Sequence, residues 1–298
     1  MNHNLPLVSV VIPTYNRADY LELTLNSVIG QTYQNIEVLV VDDGSSNNLT
    51  RDLCSKYNKV KYIRIENSGG PAKPRNVGIE QSTGEYVAFV DDDDIWNLDK
   101  LEKQVEILNA NEDFGLVHSY CELIDEHGGK IEGVIGRPRH TFDKHGDVLK
   151  RMFGSWTVMM PTPMIRIELI KKVGGFNERI PPGLEDVEYW SRCAFYTKFY
   201  YLDEPLVLYR KHSGNISQNN KFYVDLPIYL NSVLIKETVN KEIKTNEVTF
   251  LNLKLLQMQA KNINTYFIRT IINLFKLNYF WFLNFRVLKT IVKRLISA

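Results

Sequence analysis

The stretch Tyr86-Val87-Ala88-Phe89-Val90-Asp91-Asp92-Asp93-Asp94 decides the fold, because an apolar run typical of a buried strand leads directly into four consecutive carboxylates. Adjacent aspartates repel one another, so we expect a hard divalent cation with a preference for oxygen, Mg²⁺ or Mn²⁺, to offset the repulsion. In an extended chain Asp91 and Asp93 point to the same side, which predicts that one or both bind the metal while Asp92 faces another group. The alternative is a solvated acidic loop before a helix that begins near Leu98.

Three similar apolar runs precede this stretch. The predicted strands are residues 8–12, 36–41, 60–65 and 86–90. Between them, helical spacing occurs at Leu21, Leu25, Val28 and Ile29, and further helical segments are predicted at about 49–57 and 74–82. Strands that alternate with helices pair in parallel through right-handed crossovers. The sequence therefore predicts an α/β fold whose sheet is covered by helices on both faces.

Polar segments follow three of the predicted strands, at residues 13–17, 42–45 and 91–94. Ligands bind beyond the carboxyl ends of parallel strands, so we expect these segments to share one edge of the sheet. Asp43 either accepts from a nucleobase N–H or belongs to an ordinary turn, and Tyr15 either stacks on a base or packs under the first helix. Arg75 either meets a base or phosphate or is a surface cation. Together on one edge, these residues favour a nucleotide pocket.

Four segments of the chain resemble the motifs of family 2 glycosyltransferases with the GT-A fold. They are residues 9–17 (SVVIPTYNR), 40–45 (VVDDGS), 75–79 (RNVGI) and 84–94 (GEYVAFVDDDD), and they occur in the family order. Residues 174–178, the pair Glu185-Asp186 with Trp190 and Arg192, and residues 209–212 extend the resemblance to about residue 217. The resemblance implies a Rossmann-like, mainly parallel central sheet flanked by helices, with an α-helical C-terminal extension.

The same resemblance implies an activity. The enzyme would be a metal-dependent hexosyltransferase that moves a sugar from a nucleoside diphosphate sugar, with UDP as the expected nucleotide, to a hydroxyl. The acceptor would be a glycan or a lipid-linked molecule of cell-surface polysaccharide synthesis, and the anomeric carbon would be inverted. The alternative is a non-catalytic nucleotide-sugar binding or assembly protein that keeps the fold.

Individual roles also follow from the resemblance. Nucleotide binding is implied for Pro13, Thr14, Tyr15, Arg17, Asp43, Arg75 and Asp92, and metal binding (Mn²⁺ or Mg²⁺) for Asp91, Asp93 and His212. Two acceptor-binding predictions do not rest on the resemblance: Glu185 is expected to orient the acceptor, and Trp156 is chosen by its position in the chain. Asp186 is implied as the base that takes the acceptor proton, at a helix N-terminus that favours the ionised carboxylate. The alternatives are that Glu185 and Asp186 cap this helix and that His212 is a packed or surface histidine.

The chain divides unequally under this interpretation. Residues 1–217 form the catalytic domain, with a nucleotide-binding half at about 1–110 and an acceptor-binding half at about 111–217, and residues 218–298 form the helical extension. From their position in the chain alone, residues 133–162 are expected to select the acceptor. The candidates to line the acceptor site are Arg137, Arg139, His140 and Trp156.

Composition narrows the partners and the compartment. The 298 residues include 36 basic and 35 acidic side chains, a net charge of +1 that excludes a general polyanion binder, and no nucleic-acid partner is expected. Cys54, Cys121 and Cys193 are odd in number and lack a CxxC pattern, which predicts reduced thiols in the cytoplasm. The first six residues lack the basic and apolar regions of a signal peptide.

The last fifty residues are asymmetric in charge. No Asp or Glu follows Glu247, while eight cations do: Lys254, Lys261, Arg269, Lys276, Arg286, Lys289, Lys293 and Arg294. Aromatic and aliphatic residues are interleaved with them, and residues 277–285 are too short to span a bilayer, which takes roughly 20 apolar residues. Basic amphipathic helices of this kind suit an anionic membrane surface, here the inner face of the cell membrane. The alternative is that they pack on the catalytic domain or on a second copy in a homo-oligomer.

Overall fold

The computed structural model describes residues 5–216 and 220–296. Within them, nine strands form one sheet: β1 (Val8–Thr14), β2 (Ile36–Asp42), β3 (Val60–Arg64), β4 (Tyr86–Phe89), β5 (Ile95–Trp96), β6 (Phe114–Ile124), β7 (Lys130–Ile135), β8 (Met164–Arg166) and β9 (Lys198–Arg210). The helices are α1 (Ala18–Ile29), α2 (Leu49–Cys54), α3 (Ala72–Gln81), α4 (Lys100–Ala110), α5 (Leu149–Met152), α6 (Ile167–Val173), α7 (Glu185–Cys193), α8 (Leu226–Lys241), α9 (Thr245–Ala260), α10 (Phe267–Leu277) and α11 (Phe285–Ile296).

The strand order is β3-β2-β1-β4-β8-β6-β9-β5, with β7 paired to β6. The first four strands in this order pair in parallel, with Val8 opposite Ile36 on one side and Tyr86 on the other. The predicted α/β class is thus confirmed. Beyond β4 the sheet is mixed, because β8 joins β4 and β6 antiparallel while β6 and β9 are parallel.

Both faces of the parallel half are buried. All seven residues of β1 are buried, and alternate side chains enter two different apolar clusters. Val10 and Ile12 pack with Leu21 and Leu25 of α1, whereas Val11 belongs to the cluster on the opposite face. The spacing that predicted a helix at Leu21 and Leu25 therefore reflects a face that covers the sheet.

The motif at residues 75–79 is explained by close packing of α3. A Cβ atom added to Gly78 would lie 2.3 Å from Val11 Cγ1, so only glycine lets the helix approach β1 this closely. Asn76 then holds the segment that precedes α7, because its side chain donates to the Phe176 carbonyl (2.9 Å) and accepts from the Phe176 amide (2.7 Å). Together these contacts bring Arg75 to the carboxyl ends of the strands.

The predicted helical extension is present, and its first two helices pack on the catalytic core. Leu230 of α8 and Leu251 of α9 belong to the same buried cluster as Phe89 and Trp190. Helices α10 and α11 instead form a smaller cluster with the end of α9, made of Leu256, Ala260, Ile263, Leu274, Trp281, Val287 and Ile291.

The domain boundary, the cysteines and the absence of a membrane-spanning segment were also predicted from the sequence. The predicted boundary between residues 217 and 218 lies outside the described residues. The three cysteines are buried free thiols. In the described part of the chain, none of the helices combines the length and apolar character that crossing a membrane requires.

Candidate active site

A cavity of about 580 Å³ opens at the carboxyl ends of β1, β2 and β4, where ligands bind in sheets of this kind. It brings together most of the residues singled out from the sequence: Pro13, Thr14, Tyr15, Arg17, Asp43, Arg75, Asp91, Asp92, Asp93, Glu185 and Asp186. Thr157 to Pro161 also line the cavity, as does Tyr223 from the segment that leads into α8. Nucleotide-side and acceptor-side candidates therefore share one space.

The ends of β1 and β2 are joined by hydrogen bonds around Asn16. This residue has a left-handed backbone (φ 54°), which asparagine tolerates better than most residues. Its Oδ1 accepts from the backbone N of Ser46 (2.8 Å), and its own backbone N donates to Ser45 Oγ (2.8 Å). The turn places Tyr15 on the cavity wall, 48% exposed.

The two aspartates after β2 have different roles. Asp42 is fully buried and accepts from the backbone N of Ser45 (2.8 Å) and from the Tyr62 hydroxyl (2.7 Å), so it fixes the turn. Asp43 lines the cavity, and its Oδ1 accepts from the backbone N and the hydroxyl of Ser68 (2.9 and 2.8 Å). Its second oxygen has no hydrogen-bond partner among the described residues.

The four aspartates after β4 form a turn, since the backbone N of Asp94 donates to the Asp91 carbonyl (3.3 Å). Asp91 is thereby directed to Arg75, whose Nη2 lies 2.6 Å away. Asp92 and Asp93 instead share Nη1 of Arg17, at 3.2 and 2.8 Å. The pairing of Asp91 with Asp93 expected from an extended chain is therefore replaced by a pairing of Asp92 with Asp93.

Arg17 counters the repulsion within this turn. Burial raises the pKa of Asp92 to about 7 and the adjacent Asp93 adds to the rise, while Arg17 and a hydrogen bond from Thr14 oppose it. Burial likewise raises the pKa of Asp93. The protein thus supplies internally part of the positive charge that sequence reasoning assigned to a metal.

Asp93 also contacts His212. Its Oδ2 lies 2.9 Å from His212 Nε2, and the His212 ring packs 5.3 Å from that of Tyr20. Asp93 and His212 thus form a carboxylate–imidazole pair, from which Asp91 is separated by its bond to Arg75. Across residues 5–216 and 220–296 we find no group of three or more Asp, Glu, His and Cys side chains placed to hold a metal ion.

Arg75 joins the two sides of the cavity. It is 3% exposed and lies between Asp91 and Glu185, whose Oε1 is 2.7 Å from Nη1. The second Glu185 oxygen accepts from the backbone N of Gly183 (2.6 Å). Glu185, predicted to contact the acceptor, therefore has both oxygens engaged within the protein.

Asp186 lies on the cavity wall at the start of α7, where its Oδ1 accepts from the backbone N of Val187 (2.8 Å). Burial raises its pKa to about 8, and repulsion from Glu185 adds to the rise, while Arg75 opposes it. The helix N-terminus favours the ionised form of this carboxyl group, whereas burial and Glu185 favour the protonated form. A carboxyl group with this pKa is suited to exchange a proton near neutral pH.

The acceptor candidates chosen by position lie elsewhere. The Trp156 ring stacks on His118 (6.2 Å) and packs against the core, while its neighbours Thr157 to Pro161 line the cavity. Arg137 pairs with Asp203 at 2.9 Å, and the His140 ring stacks on Phe142.

One structural residue of the site was missed. Arg210 is buried, its backbone N donates to Asp94 Oδ1 (2.9 Å), and its Nε donates to the Asp93 carbonyl (2.9 Å). It therefore holds the aspartate turn from β9. The signal was its position in the segment 209–212, next to the predicted ligand His212.

Comparison with known proteins agrees with this architecture. An uncharacterized glycosyltransferase of Rickettsia conorii is 31% identical over 277 residues, which are 91% of this chain but 44% of that protein. TuaG of Bacillus subtilis, provisionally named a teichuronic acid biosynthesis glycosyltransferase, is 38% identical over 161 residues, 52% of this chain and 62% of that one. The chain thus spans under half the length of the Rickettsia relative.

A solved structure shows the same fold. TarS of S. aureus (residues 1–349, in complex with UDP-GlcNAc) superposes with a TM-score of 0.65 at 23% identity, over 96% of this chain and 79% of that one. The family model described as glycosyl transferase family 2 matches residues 9–158, which include the strand ends at Tyr15, Asp43 and the aspartate turn. With half of its length inside that match, including three of the polar segments that line the cavity, the chain belongs to glycosyl transferase family 2.

Proposed function

We propose that this protein transfers a sugar from a nucleoside diphosphate sugar, with UDP as the nucleotide, to a hydroxyl of a glycan or lipid-linked acceptor, with inversion at the anomeric carbon. One observation carries the proposal: Asp186, a carboxyl group with a raised pKa, lies in the same cavity as the strand ends that carry Tyr15, Asp43 and the aspartate turn. Relatives support the substrate class, since TarS is solved with UDP-GlcNAc and TuaG is named for teichuronic acid.

The chemistry is a single displacement. The acceptor oxygen forms a bond to the anomeric carbon as the bond from that carbon to the diphosphate breaks, and the bonding electrons leave with the diphosphate. Ionised Asp186 accepts the proton of the acceptor hydroxyl. Tyr15 stacks on the base and the partner-free oxygen of Asp43 accepts from a base N–H. Arg17 and Arg75 present positive charge towards the diphosphate.

The residues present fit a divalent metal in part. Asp93 and His212 would hold it, because a carboxylate oxygen and an imidazole nitrogen together suit Mn²⁺, and their atoms already lie 2.9 Å apart. The donor would have to supply further oxygen ligands. When bound, the ion would neutralise charge on the departing diphosphate.

A donor screen tests the activity. The 298-residue chain is incubated with UDP-, GDP- and dTDP-sugars and Mn²⁺, and release of the free nucleotide is followed, with Asp186→Asn as the matched blank. We expect slow hydrolysis of one UDP-sugar in the absence of acceptor, and a product of inverted anomeric configuration by NMR once an acceptor is found. Tight UDP binding without turnover of any donor would favour the non-catalytic alternative.

Calorimetry tests the metal assignment separately. Wild-type protein should bind UDP more tightly with Mn²⁺ than without it, and Asp93→Ala should remove this difference. Asp203→Ala, which changes an exposed carboxylate on β9, is the control. If Mn²⁺ strengthens UDP binding equally in Asp93→Ala, the metal lies elsewhere, and the transfer proposal stands without it.

A further inference from the structure

The surface of α10, α11 and the segment between them exposes large apolar side chains. On α10, Ile268, Ile272 and Phe275 are exposed and, with the partly buried Ile271, follow the i, i+3, i+4, i+7 spacing of one helix face. The connection adds Tyr279, Phe280, Phe282 and Leu283, of which Leu283 is 74% exposed. An apolar surface of this extent needs an occupant.

The exposed aromatic residues are contiguous. The Phe275 ring lies 5.7 Å from Tyr279 and 6.4 Å from Phe282. Phe280 contacts both Tyr279 (5.2 Å) and Phe282 (6.4 Å). The apolar face of α10 therefore continues into the connection without a polar break between these rings.

Helix α11 presents three different faces. Val287 and Ile291 are buried in the small cluster on α9. Phe285, Leu288, Val292 and Leu295 are exposed at helical spacing on another face. Arg286, Lys289 and Lys293, spaced at i, i+3, i+7, form a third, cationic face beside the exposed apolar one. The helix is thus amphipathic on the side that does not contact the protein.

The cations of this region are mostly unpaired. Lys254 donates to Ser155 and to backbone carbonyls of the catalytic domain, and Arg269 pairs with Asp225. Lys276, Arg286, Lys289 and Lys293 are exposed and have no ion pair within the described residues. No acidic residue follows Glu247 to neutralise them.

We propose that α10, α11 and their connection form a docking surface for an anionic lipid membrane, on which the helices lie in the interface without crossing it. The apolar faces enter the boundary between headgroups and acyl chains, and Lys276, Arg286, Lys289 and Lys293 contact the anionic headgroups. This goes beyond the proposed transfer reaction and does not depend on it.

The exposed cations and apolar side chains together favour an anionic membrane over a second copy of the chain or nucleic acid. A symmetric dimer through this surface would use the same patch on both copies and would bring like charges together. Nucleic acid offers the anionic partner but not an apolar phase for Phe280 and Leu283. An anionic bilayer supplies both kinds of contact at once.

Vesicle co-sedimentation of the 298-residue chain tests the proposal. Vesicles of phosphatidylcholine with phosphatidylglycerol should bind the protein at low salt, and vesicles of phosphatidylcholine alone should bind it far less, with binding weakened by high salt. Lys289→Gln/Lys293→Gln should lower the affinity by about fivefold per lysine, roughly 25-fold for the pair. Phe280→Ser/Leu283→Ser should lower it on the order of 100-fold.

A matched control keeps the test specific. Lys56→Gln/Lys171→Gln removes two exposed lysines outside the C-terminal helices and should bind anionic vesicles as the wild type does, while circular dichroism and thermal unfolding check that all variants are folded. The proposal is overturned if wild-type protein ignores anionic vesicles at low salt, or if the control pair loses as much affinity as Lys289→Gln/Lys293→Gln. It is also overturned if ultracentrifugation shows a dimer that Phe280→Ser/Leu283→Ser dissociates and that does not bind vesicles.

Discussion

The cavity and the C-terminal helices carry charge in opposite ways. Around the cavity, Arg75 is buried and held between two carboxylates at 2.6 and 2.7 Å. On α11, Lys289 and Lys293 are exposed and unpaired within the described chain. A buried charge that loses its partner is costly, whereas an exposed charge is screened by water and salt. The ion pairs of Arg75 therefore fix one geometry around the cavity, whereas the lysines of α11 are free to contact an outside partner.

The largest effect is expected at the proposed base. Asp186→Asn is nearly isosteric but cannot accept a proton, so we expect transfer to fall by about 100- to 10,000-fold, the usual contribution of a positioned base. UDP binding by calorimetry should be unchanged. If Asp186→Asn turned over like the wild type while Glu185→Gln was inactive, the base would be Glu185.

Removal of Arg75 should destabilise the fold around the cavity. Arg75→Met leaves Asp91 and Glu185 without their shared partner, so we expect the free energy of unfolding in urea to fall by about 3–5 kcal/mol. The matched control is Arg137→Met, which breaks the exposed pair with Asp203 and should cost at most about 1 kcal/mol. A partial recovery is expected in Arg75→Met/Glu185→Gln, and equal losses from both arginines would remove the distinction between buried and exposed pairs.

The pH dependence sharpens the same contrast. Asp186 must be ionised to act as a base and its pKa is raised to about 8. We therefore expect kcat/KM to rise about tenfold per pH unit well below that value, and roughly 50-fold from pH 6 to pH 8, where half of the carboxyl groups are ionised. A profile already flat at pH 6 would contradict the assignment.

Stability should change in the opposite direction. The folded-state pKa of Asp186 lies above the ordinary value of 3.8, so the folded protein binds this proton more tightly than the unfolded chain does. Its contribution to the free energy of unfolding is thus lost as pH rises from about 4 to about 8. Urea titrations across this range should show less of this loss for Asp186→Asn than for the wild type.

The smallest effect is expected on the C-terminal helices. Lys289→Gln/Lys293→Gln should change the free energy of unfolding by no more than about 0.5 kcal/mol, because neither lysine has an ion pair to lose. Thermal unfolding of Lys289→Gln/Lys293→Gln and of Arg75→Met, measured side by side, compares the two losses of stability. A loss comparable to that of Arg75→Met would show that α11 is braced by charge contacts within the protein.

The parallel half of the sheet was predictable because each of its strands is a local pattern. The runs at residues 8–12, 36–41, 60–65 and 86–90 correspond to β1 to β4 within a residue or two. Strand ends then predicted which polar segments converge, and Tyr15, Asp43 and the aspartates do line one cavity.

The pairings inside the site were not predictable in the same way. Arg75 and Glu185 are 110 positions apart and Arg17 and Asp93 are 76 apart, so no local period links them. The direction of Asp91 depended on whether the chain after β4 is extended or turned, and four aspartates fit both. Trp156 was chosen by position in the chain, but its ring packs inward and only the residues after it reach the cavity.

The segment Lys221–Asp225 contacts both the cavity and the C-terminal helices. Tyr223 lines the cavity, and two residues later Asp225 accepts from Arg269 (2.9 Å) and Asn273 (2.9 Å) of α10. Any coupling through so short a connection is reciprocal: the factor by which vesicles change the affinity for UDP equals the factor by which UDP changes the affinity for vesicles. If the protein binds both donor and membrane as proposed, the concentration of nucleotide sugar would shift its distribution between the membrane surface and solution.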